Sequence, residues 1–178
     1  MTSTIDTRPR IASERLLLRP LVQSDLPRMA CMAGDAEVAR MTSMMPHPYA
    51  LADAQAFLAA VQAEDPSHAA TFAIERPGKG LIGVLGFDVR DDDLPELGYW
   101  IGRPYWGRGY ATEAAKAALT WARDEWGRRA VLAQHFADNP ASGAVLIKAG
   151  FLYTGEVRPT FSRARAVQAL GRMMVWLA

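Results

Sequence analysis

The sequence predicts an α+β fold, a mixed sheet with helices packed on it, and three observations predict it. Between residues 70 and 101, short alternating segments are separated by turn residues, as in consecutive antiparallel strands. From Ala111 the hydrophobic period changes from about two to about 3.6 residues, the helical value. A strand pattern then returns at Ala130–Phe136, followed by a capped helix and two more apolar segments.

The elements follow in order. Met1–Arg10 is a polar lead-in. Glu14-Arg-Leu-Leu-Leu-Arg-Pro20 is a short apolar run stopped by proline and reads as a strand. Ser24 is the expected N-cap of a helix with Pro27 in its first turn, running toward Gly34. Met41–Tyr49, rich in Met and Pro, reads as a loop. In Leu51–Glu64, Ala54, Phe57, Leu58 and Val61 share one helical face. Ala70–Glu75, Leu81–Arg90 and Glu96–Ile101 read as three antiparallel strands, with turns at Pro77–Gly80 and Asp91–Pro95. Ala111, Ala114, Ala115, Ala118, Leu119 and Ala122 form one apolar helical stripe, whose small residues let the helix lie close to a sheet. Asn139-Pro140 is an N-cap followed by proline at N1, and Gly150 closes that helix. Phe151–Val157 and Val167–Leu177 are the final strands.

Composition bounds the function. The chain has 178 residues, 50% hydrophobic and 22% charged, which fits one domain over residues 1–178 and rules out a disordered or low-complexity chain. Twenty basic and nineteen acidic residues give a net charge of +1, without the basic excess of a nucleic-acid binder. Cys31 is the lone cysteine, so neither an internal disulfide nor a cysteine metal cluster is possible. His47, His68 and His135 lack ligand spacing, and no metal is expected. The first twenty residues hold Asp6 and Glu14 and no apolar core, and no apolar run reaches membrane-spanning length. A cytoplasmic protein with no membrane partner is expected.

Two glycine patterns compete as anion sites. Trp106-Gly-Arg-Gly-Tyr-Ala-Thr-Glu113 follows a strand and opens the alanine-striped helix. Glycines there admit positive φ and close approach, and the free amides of a helix start attract anions. An ordinary two-glycine loop remains the alternative. Gly78-Lys-Gly-Leu-Ile-Gly83 matches GxGxxG but leads into a strand, whereas a dinucleotide fingerprint leads into a helix. It reads as a hairpin turn.

The ordered set Glu14–Pro20, Pro46-His-Pro-Tyr49, Glu96-Leu-Gly-Tyr-Trp-Ile101, Tyr105–Ala114 and Asn139-Pro-Ala-Ser142 through Lys148-Ala-Gly-Phe151 resembles the GNAT acetyltransferase superfamily. Within it, the set resembles the ribosomal-protein N-terminal-alanine acetyltransferase branch. The resemblance implies acetyl-CoA as donor and a primary amine as acceptor, either a protein N-terminus or a small molecule. It places the pyrophosphate loop on Trp106, Gly107, Arg108, Gly109, Tyr110, Ala111 and Thr112, with Trp106 in place of the usual Gln or Arg. It makes Tyr99, Trp100, Ile101 and Gly102 the backbone partners of the pantetheine arm, one amide binding the thioester carbonyl. It suggests a coenzyme contact for Asn139 besides its cap. A tyrosine acid common in the superfamily falls on Leu146 here and is absent, while Ser142 stands where this branch has a serine near the thioester sulfur.

The chemistry has definite demands. Deprotonating a lysine-like amine at pH 7 costs about 4.6 kcal/mol, and an α-amine about 1 kcal/mol. The leaving thiol departs unprotonated at a cost of about 2 kcal/mol. A base therefore matters more than an acid. Glu96 is the candidate base, direct or through water, sharing a strand face with Gly98 and Trp100; otherwise it is an exposed carboxylate after a turn. Ser142 either assists the thiol or is a polar residue of a first helical turn. His47 and Tyr49 lie in the loop expected to cover the acceptor. Met41, Met44 and Met45 line an adaptable pocket or pack beneath that loop. Trp100, Trp106, Trp121, Trp126 and Trp176 read as packing residues. The reading is direct attack in a ternary complex, with a non-catalytic acyl-CoA-binding module as the alternative. Monomer and homodimer both remain open.

Overall fold

The computed structural model describes residues 9–89 and 94–178. The lead-in before Pro9, and Arg90 with most of the acidic turn after it, lie outside the described residues.

The chain begins with β1 (Ile11–Ala12) and β2 (Leu17–Arg19), then a 3₁₀ turn at Gln23–Asp25 leading into α1 (Leu26–Ala33). Next come α2 (Ala36–Ala39), α3 (Leu51–Gln62), and the strands β3 (Ala69–Arg76), β4 (Gly80–Val89) and β5 (Pro95–Ile101). A 3₁₀ turn at Arg103–Tyr105 precedes α4 (Tyr110–Asp124), β6 (Ala130–Phe136), α5 (Pro140–Ala149), β7 (Leu152–Ser162) and β8 (Val167–Leu177). The strands form one eight-stranded sheet in the order β1-β2-β3-β4-β5-β6-β8-β7. The expected α+β class, with its mixed sheet, is what the chain builds.

Pairing between neighbours is antiparallel except at β5–β6, which is parallel and short. Only Glu96↔Leu132 and Leu97↔Ala133 pair there, so the strands part beyond Leu97. This divergence opens the middle of the sheet.

Two layers of side chains cover the sheet. On one face, Leu18, Phe72, Ile74, Leu85, Phe87 and Leu97 meet the alanine stripe of α4 and Leu146 of α5. Burying one such large side chain is worth about 1.5–3 kcal/mol. On the other face, Leu21, Leu26, Met29, Leu58, Leu81 and Val84 pack together beneath α1 and α3. A bulge at Ile82, left over between the pairs Glu75↔Leu81 and Ile74↔Gly83, shifts the alternation by one residue, so that Leu81 shares a layer with Val84 and Ile82 shares one with Leu85.

Several expectations are corrected. The strand read at Glu14–Pro20 is only Leu17–Arg19, because Ser13 and Arg15 turn instead to Glu113. Ser24 is not an N-cap; it sits inside the 3₁₀ turn, and Asp25 precedes α1 with no side-chain cap bond. The Asp25 carboxylate instead takes both terminal Arg19 guanidinium nitrogens at 2.8 Å and the Val22 amide at 3.0 Å. Glu75 joins the same guanidinium, and this nearly buried cluster raises the Arg19 pKa. α2 was not visible in the sequence, since four residues carry no period. β7 runs on through Pro159 to Ser162, which an edge strand tolerates.

Candidate active site

The gap beside β5 leaves backbone groups for a ligand. The Gly102 amide donates to Ile82 O on the β4 side at 2.8 Å. Strand alternation therefore turns the amides of Tyr99 and Ile101 toward the gap. The Ile101 carbonyl is taken by the Trp106 indole N–H at 2.6 Å.

The glycine loop follows directly. Gly107 and Gly109 have φ of 70° and 80°, conformations that favour glycine, and Gly109 is the N-cap of α4. A Cβ on Gly107 would meet no atom within 4 Å, so the loop surface is open to a ligand. The first helical bond of α4 is Glu113 N–H to Gly109 O, leaving the amides of Tyr110, Ala111 and Thr112 without helical partners. Glu113 fixes the loop from below. It accepts the Ser13 hydroxyl, the Arg15 amide and Arg15 Nε, each at 2.7 Å. Partial burial opposes its charge, but these bonds outweigh that and hold its carboxyl below the usual range. Arg15 also donates to Arg108 O at 3.1 Å. The Tyr110 ring is buried with Arg15 at 4.7 Å and Arg76 at 5.6 Å from its centroid.

A cavity of about 810 Å³ lies on the α3 side of the sheet and reaches the gap. Its floor is β4 and β5, where Glu96, Gly98 and Trp100 share the face opposite Leu97 and Ile101. Gly98 faces Gly86 across the strands, and Asp88 faces Glu96. Its cover is the segment 41–46, with Tyr49 and Phe57 beside it. The turn between β7 and β8 holds that cover: Arg163 N–H donates to Ser43 O at 2.9 Å, and Arg165 Nε to Arg40 O at 2.6 Å. Arg165 also pairs with Asp138 at 2.7 Å, which with burial opposing it keeps that carboxyl below its usual range. Among the described residues the lining carries Asp53, Glu64, Asp88 and Glu96 against a single guanidinium, Arg163.

From the other face of the sheet the Tyr99 ring meets α5. Its hydroxyl lies 2.7 Å from Ser142 Oγ. Burial pushes the Tyr99 phenol up to about 12, against the Ser142 hydrogen bond that works the other way. Asn139 Oδ1 accepts the Ser142 amide at 3.2 Å, the cap expected of it. Buried His135 sits beneath, 2.8 Å from Phe136 O and 2.9 Å from the Tyr153 hydroxyl.

The structure thus brings Tyr49, Glu96, Tyr99, Trp100 and Ser142 to one cavity. Gly102 and Trp106 through Thr112 form the adjoining loop. His47 is exposed and outside the cavity lining, because the chain leaves the cover at Pro46. Trp106 is 44% exposed rather than packed, its indole spent on Ile101. Met41, Met44 and Met45 do line the cavity. Sequence reasoning missed Arg163 and the Tyr99 hydroxyl. Period-two alternation carries a signal for Tyr99, since it puts that ring opposite Glu96; nothing local marks Arg163. Among the described residues no group of His, Cys, Asp and Glu is placed to hold a metal ion, and no helix is long and apolar enough to cross a membrane.

A parallel strand pair that parts beside a helix start with free amides, with a cavity reaching the gap, matches the arrangement expected of an acyl-CoA-dependent acyltransferase. The chain belongs to the GNAT acetyltransferase family, whose domain matches residues 15–152. It is 31% identical over 157 residues to the uncharacterised N-acetyltransferase YoaA of Bacillus subtilis (strain 168), covering 84% of this chain and 86% of that protein. Among solved structures it resembles RimJ of Mycobacterium smegmatis in complex with CoA-disulfide, with a TM-score of 0.84 and 20% identity over 97% of this chain and 88% of that one. It also resembles spermidine N-acetyltransferase of Vibrio cholerae in complex with CoA and spermine, with a TM-score of 0.76 and 18% identity over 93% and 96% of the two chains.

Proposed function

We propose that this protein transfers the acetyl group of acetyl-CoA to a primary amine by direct attack in a ternary complex. The observation that carries the reading is the gap between β5 and β6, which joins the Glu96 cavity on one face to Ser142 on the other. The donor fits from the α4 side. The amides of Tyr110, Ala111 and Thr112, at the positive end of the α4 dipole, suit a pyrophosphate. The pantetheine arm takes the place of the missing β6 pairing along β5, and the Tyr99 amide meets the thioester oxygen as negative charge builds there.

The acceptor enters from the α3 side. Its amine must lose a proton, and Glu96 is the carboxylate on the cavity floor beside the bare Gly98. The Glu96 carboxylate on the cavity floor favours a cationic amine over an anionic one. This supports a small-molecule amine or a basic N-terminus as acceptor. Cys31 does not line the cavity, which argues against an acetyl-cysteine intermediate.

Turnover is tested by CoA release over a panel of small amines and peptides, alongside thermal shift with acetyl-CoA. Saturation at about 100 times Kd should add about 2.7 kcal/mol, or about 5–10 °C for a domain of this size. Release of CoA with an amine supports the transferase. A shift without turnover on any amine identifies an acyl-CoA-binding module instead, and no shift at all removes the donor site.

A further inference from the structure

We propose that the Tyr99 hydroxyl is a positioning group for the transfer step: it donates to Ser142 Oγ and so turns the Ser142 hydroxyl hydrogen toward the departing sulfur. The inference rests on the reading of Ser142 given above. Its basis is the 2.7 Å contact between side chains 43 residues apart, one on β5 and the other on α5, across the sheet gap. Ser142 is held at every polar atom that can be held. Its amide donates to Asn139 Oδ1 at 3.2 Å, and its carbonyl lies 3.3 Å from the same Tyr99 hydroxyl. The next residue allows no slack, since a Cβ on Gly143 would lie 2.8 Å from the Tyr153 hydroxyl and 2.9 Å from His135 Nε2.

The direction of the bond follows from chemistry. A phenol O–H is a stronger donor than an aliphatic hydroxyl, and its oxygen lies nearer Ser142 Oγ, at 2.7 Å, than the Ser142 carbonyl to which it also donates, at 3.3 Å, so its hydrogen is assigned to Oγ. When that hydrogen occupies Ser142 Oγ, the serine's own hydrogen is left for another acceptor. Tyr99 does not itself become the acid. A thiolate with a proton affinity near that of cysteine, about 8.5, would take its proton at a disadvantage of more than a thousandfold. In the step, the acceptor nitrogen bonds to the acetyl carbon and the carbon–sulfur bond breaks with its electron pair going to sulfur. The nitrogen's proton passes to Glu96, and the thiolate leaves hydrogen-bonded by Ser142. Leu146, where the family resemblance places an acid, is fully buried in the core and contributes nothing. Tyr99 also turns its amide to the gap, so one residue would contact the thioester oxygen and orient the group that meets its sulfur.

The test compares Tyr99→Phe, Ser142→Ala and the double variant in CoA-release assays on an amine the parent accepts, with melting curves recorded for each. Loss of a hydrogen bond to a charged sulfur should lower kcat about 10–100-fold in Ser142→Ala. Tyr99→Phe should lose a comparable factor, the double variant should be no slower than Ser142→Ala, and KM for acetyl-CoA should stay within about threefold. Replacing the donor by an acetyl thioester of a more acidic thiol should narrow the Tyr99→Phe deficit, a response that a packing defect does not give. Wild-type kcat in Tyr99→Phe, or losses that multiply in the double variant, would overturn the proposal while leaving the transferase reading intact. Wild-type kcat in Ser142→Ala would overturn both roles. If Tyr99→Phe is too unstable to assay, Tyr99→3-fluorotyrosine decides, since it keeps the ring and hydroxyl but makes the phenol more acidic: a change in kcat that disappears in the Ser142→Ala background supports the proposal, and an unchanged kcat refutes it.

Discussion

The glycine loop at the start of α4 and the covered cavity beyond Glu96 are adjacent in space but built in opposite ways. The loop is one continuous run, residues 102–112, whose proposed working groups are backbone amides. The cavity is assembled from the 41–46 cover, α3, the floor of β4 and β5, the end of β6, the start of α5 and the β7–β8 turn. Its working groups are side chains. A site made of backbone needs only the dihedrals that two glycines permit, so many side chains around it can vary. A site made of side chains from many separate segments changes whenever any one of them does. The comparison explains how one donor chemistry coexists with many acceptors on this fold.

The predictions test that division. The largest effect is expected from Glu96→Gln, which removes the proposed base without touching the loop. It should lower kcat/KM by about 100-fold or more and leave the acetyl-CoA thermal shift unchanged; a lost shift would mean that the two sites are not separable. Next, Gly109→Val forces a branched side chain onto a φ of 80° at the α4 N-cap. It should weaken acetyl-CoA about tenfold or more while the amine KM stays constant, both read from initial rates. Third, Asp138→Asn removes the partner that Arg165 uses while it holds the Arg40 carbonyl at the edge of the cover. Asp138 is half exposed, so the expected change is small, an amine KM higher by about two- to fivefold with the acetyl-CoA KM unmoved. Equal changes in both would show that the cover also serves the donor.

The smallest effect is a pH dependence. The Glu113 carboxyl ionises below its usual value of 4.5 in the folded chain. Its contribution is therefore complete above that value and lost as pH falls through the lower, folded one. The melting temperatures of the parent and Glu113→Gln should differ most near neutrality and converge as pH drops below about 4.5. A difference that grows on acidification would contradict the bonds drawn from Ser13 and Arg15.

Much of the fold was legible before any coordinates. The alanine stripe of α4, the three strands of the 69–101 region and the cap of α5 by Asn139 are local patterns, and local dihedral and hydrogen-bonding preferences suffice for each. The hairpin reading of Gly78–Gly83 held for the same reason, since Gly78 and Gly80 take positive φ in a turn between β3 and β4. Ser24 misled because its neighbour Asp25 has a stronger partner in Arg19, from a strand that no cap rule considers. His47 misled because loop membership does not say which residue turns inward.

By itself, then, the sequence determined the order of elements, the positive-φ loop and the identity of the carboxylate, amides and hydroxyl available to it. Those are properties of short segments, fixed by backbone geometry and by the 2.0 and 3.6 periods. The tertiary structure alone decided that β5 and β6 part after two residue pairs, that Tyr99 meets Ser142 beside the opening, and that a turn 120 residues along the chain holds the cavity's cover. Such contacts depend on where whole elements pack. Packing is set by the sum of many burial energies across the sheet, which no window of neighbouring residues contains.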